Sequence, residues 1–405
     1  MKTYEKSHKL DHVCYDIRGP IMDEANRMIR AGEDVMKLNI GNPAHFGFKT
    51  PEPLLKAMAE NLPNTEGYTD SHGLMSARRA IVDYCKGKGI PNVGVDDVFT
   101  GNGVSELITL SMQGLLDNGD EVLVPAPDYP LWTASVTLAG GTAVHYICDE
   151  KSGWLPDLDD MRKKVTPRTK AIVVINPNNP TGVVYPREIL EGIVKIAREF
   201  DLILYADEIY DRLVMDGIEH VALASLAPDL LTVSFNGLSK SHLMAGYRVG
   251  WMCLAGDKRR YKGYIEGINL LSAMRLCSNA PGQSLIAPAL AQRESTKEML
   301  VPGGRVYEQR ECIYRMLNDI PGISAVRPQA AFYIFPKIDV KRFNIHDDEL
   351  FALDLLKQEK ILITHGRGFH WINPDHFRIV YLPQVDVLTA ACEKMKHFFE
   401  HYQQA

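Results

Sequence analysis

Short apolar runs alternate with amphipathic helical patterns through the middle of this 405-residue chain, and this alternation strongly limits the possible folds. The runs are nearly continuous, as in strands that helices cover on both faces. They lie at residues 121–124, 171–175, 202–206, 231–235 and 249–254. Strands that alternate with helices predict right-handed crossovers and an α/β domain with a mostly parallel sheet sandwiched by helices.

The C-terminal part of the chain has a different pattern. Short strand patterns flank two helical patterns there, which is typical of an α+β arrangement. The strand patterns lie at residues 323–326, 331–335, 361–364 and 377–381, and the helical patterns at 347–359 and 385–403. We expect a large domain over residues 50–305 and a smaller domain that combines residues 306–405 with an N-terminal arm, residues 1–49.

Composition narrows the class of protein. A formal net charge of −6 argues against a nucleic-acid partner held by phosphate contacts. No stretch approaches the roughly 18 apolar residues of a membrane helix, and the N-terminus lacks a signal-peptide core, so we expect no membrane partner. The seven cysteines are scattered without a CxxC pair, which favours a reduced cytoplasmic enzyme with no metal site. The acidic cluster at residues 346–348 is best explained as a helix N-terminus.

Polar and small residues come directly after four of the apolar runs. These clusters lie at residues 125–129, 176–182, 207–210 and 236–240. In open α/β sheets, ligands bind at the carboxyl ends of the strands. The sequence therefore predicts a binding site where these clusters meet.

The stretch TGNGVSE, residues 100–106, places a glycine turn before a helical pattern. A helix that opens on glycine presents free backbone N–H groups and the positive end of its dipole, which suits a phosphate group. A tight turn built on left-handed glycines explains the stretch equally well. The spacing is GxGxxE rather than GxGxxG, so a nicotinamide-dinucleotide dehydrogenase is poorly supported.

Four further side chains carry the chemistry of the predicted site. In NPNNPTG, flanking prolines restrict the backbone around Asn179, although an ordinary loop accounts for this composition as well. Asp207 ends an apolar run, where a carboxylate needs a cation or several donors, or else caps a helix. Lys240 lies among small residues, with Arg248 eight positions later. Burial and nearby cations lower the pKa of a lysine and make it nucleophilic, whereas a surface lysine needs no such setting.

The motifs NPNNPTG, ADEIY and SKxxxxxGxR, in this order, resemble those of fold-type I pyridoxal-phosphate enzymes, the class I and II aminotransferases. The resemblance extends over essentially the whole chain. It implies that Lys240 binds pyridoxal 5′-phosphate covalently and that Asp207 pairs with the pyridine nitrogen. A protonated pyridine is the better electron sink, and the displaced lysine can then move a proton at the substrate Cα.

The resemblance also implies the remaining contacts of the site. Asn179 and Tyr210 would contact the ring hydroxyl, and Tyr129 would stack on the ring. The phosphate would be held by Ser239, Arg248 and the turn at Gly103, Val104 and Ser105. The substrate carboxylate would meet Arg378, Asn179 and the backbone of Gly41. Tyr68 would reach the phosphate of a neighbouring subunit, which implies a homodimer with active sites at the interface.

The segment YDIRGPI, residues 15–21, resembles the N-terminal segment of alanine aminotransferases, and PAPDYPLW and FNGLSK resemble bacterial glutamate–pyruvate aminotransferases. This implies transamination between L-alanine and 2-oxoglutarate, with Tyr15 and Arg18 at the substrate; Arg18 can equally be a structural arginine. Aminotransferases for aspartate or aromatic amino acids and a C–S β-lyase remain as alternatives. A regulator built on the same fold is disfavoured because no DNA-binding domain precedes the motifs and the pI is acidic.

Overall fold

The computed structural model describes residues 3–11, 13, 19–292 and 296–405. Its helices and strands are numbered along the chain. The α-helices are α1 Pro20–Arg30, α2 Glu52–Asn61, α3 Met75–Gly87, α4 Val104–Leu115, α5 Leu131–Leu138, α6 Leu158–Lys164, α7 Arg187–Glu199, α8 Leu238–Ser241, α9 Lys262–Met274, α10 Ala280–Gln283, α11 Ile286–Ala291, α12 Arg305–Asn318, α13 Asp348–Glu359 and α14 Val385–His401. The strands are β1 Met36–Lys37, β2 Val98–Asn102, β3 Glu121–Ala126, β4 Thr142–Asp149, β5 Leu155–Pro156, β6 Thr169–Ile175, β7 Ile203–Asp207, β8 Thr232–Gly237, β9 Val249–Ala255, β10 Ile323–Ser324, β11 Tyr333–Ile334, β12 Lys337–Ile338, β13 Ile361–Leu362, β14 Thr364–His365 and β15 Phe377–Val380.

The largest sheet contains eight of the strands in the described ranges, in the order β2-β9-β8-β7-β6-β3-β4-β5. The strands from β8 through β7, β6 and β3 to β4 pair in parallel. In contrast, β9 runs antiparallel to both β2 and β8, and β5 runs antiparallel to β4. The predicted α/β class with a mostly parallel sheet is confirmed.

Strand β6 explains why the apolar runs are nearly continuous. Its residues Ala171, Val173 and Ile175 belong to the core on the face that α4, α5 and α9 cover. The alternate residues Ile172 and Val174 belong to the core on the other face, which they share with side chains of α7. Because successive side chains of a strand point to opposite faces, a strand between two cores needs apolar residues throughout.

Short antiparallel pairs organise the C-terminal part, with β11, β15 and β14 forming one sheet. Strand β1 pairs in parallel with β13, so the N-terminal segment joins this part of the molecule. One apolar core holds Met28 of α1, Leu355 of α13 and Met395 of α14 together. The domain boundaries at residues 50 and 305 stay a prediction. Across the described ranges, no helix combines the length and apolar character that crossing a bilayer requires.

The parallel strands bring the predicted polar clusters to one edge of the sheet. Strand β6 ends at Ile175, just before the NPNNPTG loop, and β7 ends at Asp207. Strand β8 ends at Gly237, from which α8 carries Lys240. Neighbouring strands that end at the same level explain why motifs far apart in sequence meet here.

Candidate active site

A cavity of about 250 Å³ opens at this edge of the sheet. Most of the site residues that were predicted from the sequence line this cavity. They are Gly41, Val104, Ser105, Tyr129, Asn179, Asp207, Tyr210, Ser239, Lys240, Arg248 and Arg378. The remaining lining comes from both parts of the chain, with Ile175 from the large sheet and Phe369 from the C-terminal part.

The other named residues lie elsewhere. Gly103 directly precedes α4 and lies against Arg248. Tyr68 is 83% exposed and is not among the residues that line the cavity. Tyr15 and Arg18 lie outside the described residues.

Lys240 is half-buried on the short helix α8, directly after β8. Its Nζ donates a hydrogen bond of 2.7 Å to the carbonyl oxygen of Gly41, and lies 6.0 Å from the centre of the Tyr210 ring. Leu238, at the start of α8, is fully buried and holds this helix against the core. The amine therefore lies inside the cavity, next to a backbone carbonyl of the N-terminal segment.

Asp207 lies at the floor of the cavity with only 3% of its surface exposed. One oxygen accepts a hydrogen bond from Trp132 Nε1 at 3.1 Å, and the other accepts one from the backbone N–H of Ile209 at 3.4 Å. Burial raises the pKa of Asp207 to about 6 in spite of these two donors. The buried carboxylate would therefore be stabilised by a cation placed in the cavity.

The N-terminus of α4 and Arg248 lie together at one corner of the cavity. Gly103 has φ 83°, and a Cβ at this position would lie 2.2 Å from Arg248 Nη2. Arg248 is itself left-handed, with φ 54°, and donates through Nη1 to the carbonyl of Ala245 at 3.0 Å. Since the first N–H groups of a helix lack intrahelical acceptors, Val104 and Ser105 add donors beside a guanidinium. The predicted glycine turn that opens a helix is confirmed.

Arg378, on β15, also lines the cavity, and two hydrogen bonds hold its guanidinium in place. Its Nη1 donates to Asn179 Oδ1 at 3.0 Å, and its Nη2 donates to the carbonyl of Asn39. Two aromatic rings pack against the guanidinium, whose carbon lies 4.5 Å from the centre of the Tyr333 ring and 4.6 Å from that of the Phe369 ring. A planar cation fixed in this way is suited to bind a carboxylate with two parallel hydrogen bonds.

Two residues of the site escaped the sequence analysis. Trp132 lies in the first turn of α5, three residues after Tyr129, and its indole orients Asp207. The hydroxyls of Tyr333 and Tyr210 lie 2.8 Å apart. Burial acts to raise the pKa of Tyr333, but the charges of Lys240 and Arg378 outweigh it and lower the pKa. Position within an apolar stretch was the only sequence signal for either side chain, because their partners come from distant segments.

The chain matches the family model of aminotransferase class I and II over residues 33–395. It is 57% identical over 404 residues to the glutamate-pyruvate aminotransferase AlaA of Haemophilus influenzae, and the match covers 100% of both chains. It is 52% identical to the alanine aminotransferase of Mycobacterium tuberculosis, covering 100% of this chain and 94% of the relative.

A crystal structure of an aminotransferase from Escherichia coli matches the fold with a TM-score of 0.99 and 56% sequence identity, covering 100% of each chain. Fold, cavity and full-length similarity thus agree, and the chain belongs to the class I and II aminotransferases.

Proposed function

We propose that this protein uses pyridoxal 5′-phosphate to transfer the amino group between L-alanine and 2-oxoglutarate, giving pyruvate and L-glutamate. The observation that carries the proposal is one cavity in which a buried carboxylate, a lysine amine and two arginines face each other. The names of the relatives that are 52–57% identical support the choice of substrates.

The residues of the cavity fit this cofactor. Asp207 is a buried acid whose pKa is raised to about 6. A pyridinium would supply a positive charge that stabilises its ionised carboxylate in the buried site. The corner at Gly103 and Arg248 leaves no room for a Cβ and offers a guanidinium beside a helix N-terminus, which suits a phosphate. Asn179 and Tyr210 add polar groups to the lining of the cavity, and Tyr129 adds an aromatic ring.

Bound pyridoxal phosphate supplies an aldehyde that takes up the amino group and a ring that draws electrons from Cα. The protein supplies orientation and proton transfer. Arg378 binds the α-carboxylate, with Asn179 holding the guanidinium in place. Lys240 Nζ would hold the cofactor at its aldehyde carbon. With the substrate amine bound there instead, the free lysine amine would accept the proton from the substrate Cα and pass it to that cofactor carbon. Positioned proton transfer of this kind contributes about 10²–10⁴-fold to the rate.

Water has to be kept away from this exchange. The rings of Tyr333 and Phe369 both pack against the guanidinium of Arg378. The lining also includes Ile40 and Ile175, so apolar surface adjoins the polar groups. Excluding water strengthens the pairing of Arg378 with a carboxylate and of Asp207 with a pyridinium.

We also propose that the active enzyme is a homodimer, located in the cytoplasm. Large apolar side chains are exposed on two adjoining segments, which we call the apolar patch: Tyr68, Met75, Leu270, Met274 and Leu276. Arg275 joins the two segments through its hydrogen bond to the carbonyl of Ser71 at 3.0 Å.

We call the corner at Gly103 and Arg248 the phosphate corner. It lies close to the apolar patch, because Asn279, three residues after Leu276 of the patch, donates through Nδ2 to the carbonyl of Arg248 at 3.1 Å. Several exposed apolar side chains on adjoining segments favour an interface at this surface. A partner subunit on the patch would also bring its own Tyr68 towards the phosphate corner.

The test begins with purified protein supplied with pyridoxal phosphate. We expect an absorption band of lysine-bound cofactor, which borohydride fixes on Lys240 as judged by peptide mass spectrometry. Alanine and 2-oxoglutarate should then give pyruvate and glutamate in equal amounts without ammonia. A Lys240→Ala variant should retain fold and lose both signals. Absence of the band in the wild-type protein would overturn the proposal.

The same assay separates the alternatives. Ammonia and pyruvate released from cysteine or cystathionine would identify a C–S β-lyase. A higher kcat/KM for aspartate or tyrosine than for alanine would identify an aminotransferase of different specificity.

A further inference from the structure

A cluster of polar residues outside the cavity connects two of its walls. We call it the Asp128 clip, and it consists of Asp128, Thr133, His145 and His370. The Asp128 side chain is completely buried, while both histidines are partly exposed. The proposed function assigns no role to any of these side chains.

Asp128 makes two hydrogen bonds to consecutive residues of the turn after β14. Its backbone N–H donates to the carbonyl of Phe369 at 2.9 Å. Its carboxylate oxygen Oδ1 lies 2.7 Å from His370 Nδ1. Because an ionised carboxylate only accepts, His370 is the donor in this contact. The loop before α5 is thus joined to the turn through both main chain and side chain.

The second carboxylate oxygen is held by a short chain of donors. Thr133 Oγ1 donates to Asp128 Oδ2 at 2.6 Å, and His145 Nε2 lies 2.9 Å from the same hydroxyl. Since the hydroxyl hydrogen is directed at Asp128, His145 Nε2 donates to Thr133. Burial acts to raise the pKa of Asp128, but the nearby His145 and His370 outweigh this effect and lower the pKa.

Each end of the clip adjoins a residue that lines the cavity. Asp128 directly precedes Tyr129, and His370 comes directly after Phe369, whose ring covers Arg378. The clip therefore spans the wall that faces the cofactor and the wall that faces the substrate carboxylate. A shift of the turn relative to the loop would move both aromatic side chains.

Two histidines and one carboxylate are also a donor set for a transition metal, with all ligand atoms within 4.8 Å of one another. The ring geometry disfavours this use. The two imidazoles are stacked, with 4.8 Å between ring centres and 19° between planes. Lone pairs in nearly parallel planes do not converge, so a ring would have to rotate before both nitrogens could bind one ion.

We propose that Asp128 and His370 are positioning residues for the aminotransferase reaction, and that their hydrogen bonds fix Phe369 over Arg378 and Tyr129 over the cofactor ring. This inference rests on the proposed function. It predicts that loss of the clip weakens the binding of substrate and cofactor more than it slows turnover, because the groups that transfer protons are not touched.

The decisive comparison is between His370→Gly and His370→Asn. His370 has φ 56°, a left-handed conformation that glycine and asparagine both tolerate. Only asparagine places a side-chain donor near the position of Nδ1. We expect His370→Gly to raise KM for alanine and the Kd for pyridoxal phosphate roughly tenfold, with kcat within about threefold of wild type. His370→Asn should restore KM and Kd to within about threefold of the wild-type values.

Lys360, with φ 63° at the end of α13 and away from the cavity, provides the matched control. Lys360→Gly and Lys360→Asn should leave KM and the Kd for the cofactor unchanged. Thr133→Val, which removes one donor to Asp128 and retains the shape of the side chain, should raise both constants in the same direction as His370→Gly.

Three results would overturn the inference. One is equal KM and Kd in His370→Gly, His370→Asn and wild type, with only the melting temperature lowered. Another is a loss of kcat at unchanged KM. The third is Zn²⁺ binding to the wild-type protein below micromolar concentration that His370→Asn abolishes, since that would make the cluster a metal site. Because wild-type cofactor binding and transamination are measured alongside, failure of the proposed function itself is recognised separately.

Discussion

At the scale of single residues, Asp207 illustrates how a carboxylate is held in a buried position. Its hydrogen bonds from Trp132 and Ile209 orient the carboxylate but leave its pKa raised to about 6. A raised acid pKa means that the native state holds the proton more tightly than the unfolded chain. The contribution to stability is therefore present below about pH 4 and is lost as the pH rises through about 6.

Asp207→Asn should accordingly stabilise the cofactor-free protein at pH 8 and have little effect at pH 4. We expect a gain of about 1–3 kcal/mol at pH 8, from about 1.4 kcal/mol per pKa unit. Transamination should fall by at least roughly 10²-fold, because a neutral partner no longer keeps the pyridine protonated. Urea unfolding at both pH values provides the measurement. A variant less stable than wild type at pH 8 would contradict this account.

At the scale of elements, the start of α4 acts as a unit with Arg248. A Cβ at Gly103 would collide with the guanidinium, and φ 83° disfavours any side chain. Gly119 has φ 93° with open space around it, so Gly119→Ala tests the backbone strain alone.

Gly103→Ala should weaken binding of pyridoxal phosphate at least roughly tenfold by displacing Arg248 and the first N–H groups of the helix. Binding of pyridoxal, which lacks the phosphate, should change much less. Fluorescence titration of both ligands checks this prediction, with Gly119→Ala as the control. An equal loss for the two ligands would argue against a phosphate contact at this corner.

At the scale of the whole molecule, the apolar patch predicts that assembly and activity are linked. Met274 is 71% exposed. The next residue, Arg275, donates to the carbonyl of Thr100 at 2.8 Å, three residues before Gly103 of the phosphate corner. Met274→Glu should shift the protein to monomers and lower cofactor affinity, since a charge on both copies opposes their contact.

Sedimentation velocity together with cofactor titration tests this link. Val387→Glu, at an exposed apolar position on α14, is the matched control and should change neither measurement. A fully active Met274→Glu monomer would refute the requirement for a second subunit.

The strands differ in how well the sequence alone predicted them. Strands β3, β6, β7 and β8 were predictable because strands buried on both faces are apolar throughout. Strand β4 escaped prediction because it is only partly buried and mixes polar with apolar residues. The antiparallel direction of β9 left no trace in its composition, since its residues are buried on both faces like those of its parallel neighbours.

The sequence by itself determined the α/β class and the edge of the sheet at which the cavity lies. It also pointed to Lys240, Asp207, Asn179 and Arg248, which line that cavity, because they lie in short motifs that adjoin the ends of strands. Only the tertiary structure decided which side chains from distant segments complete the site. Trp132 on Asp207, Tyr333 and Phe369 on Arg378, and the clip at Asp128 all depend on contacts across the chain. Such contacts leave no local pattern, since packing and not spacing along the chain brings the partners together.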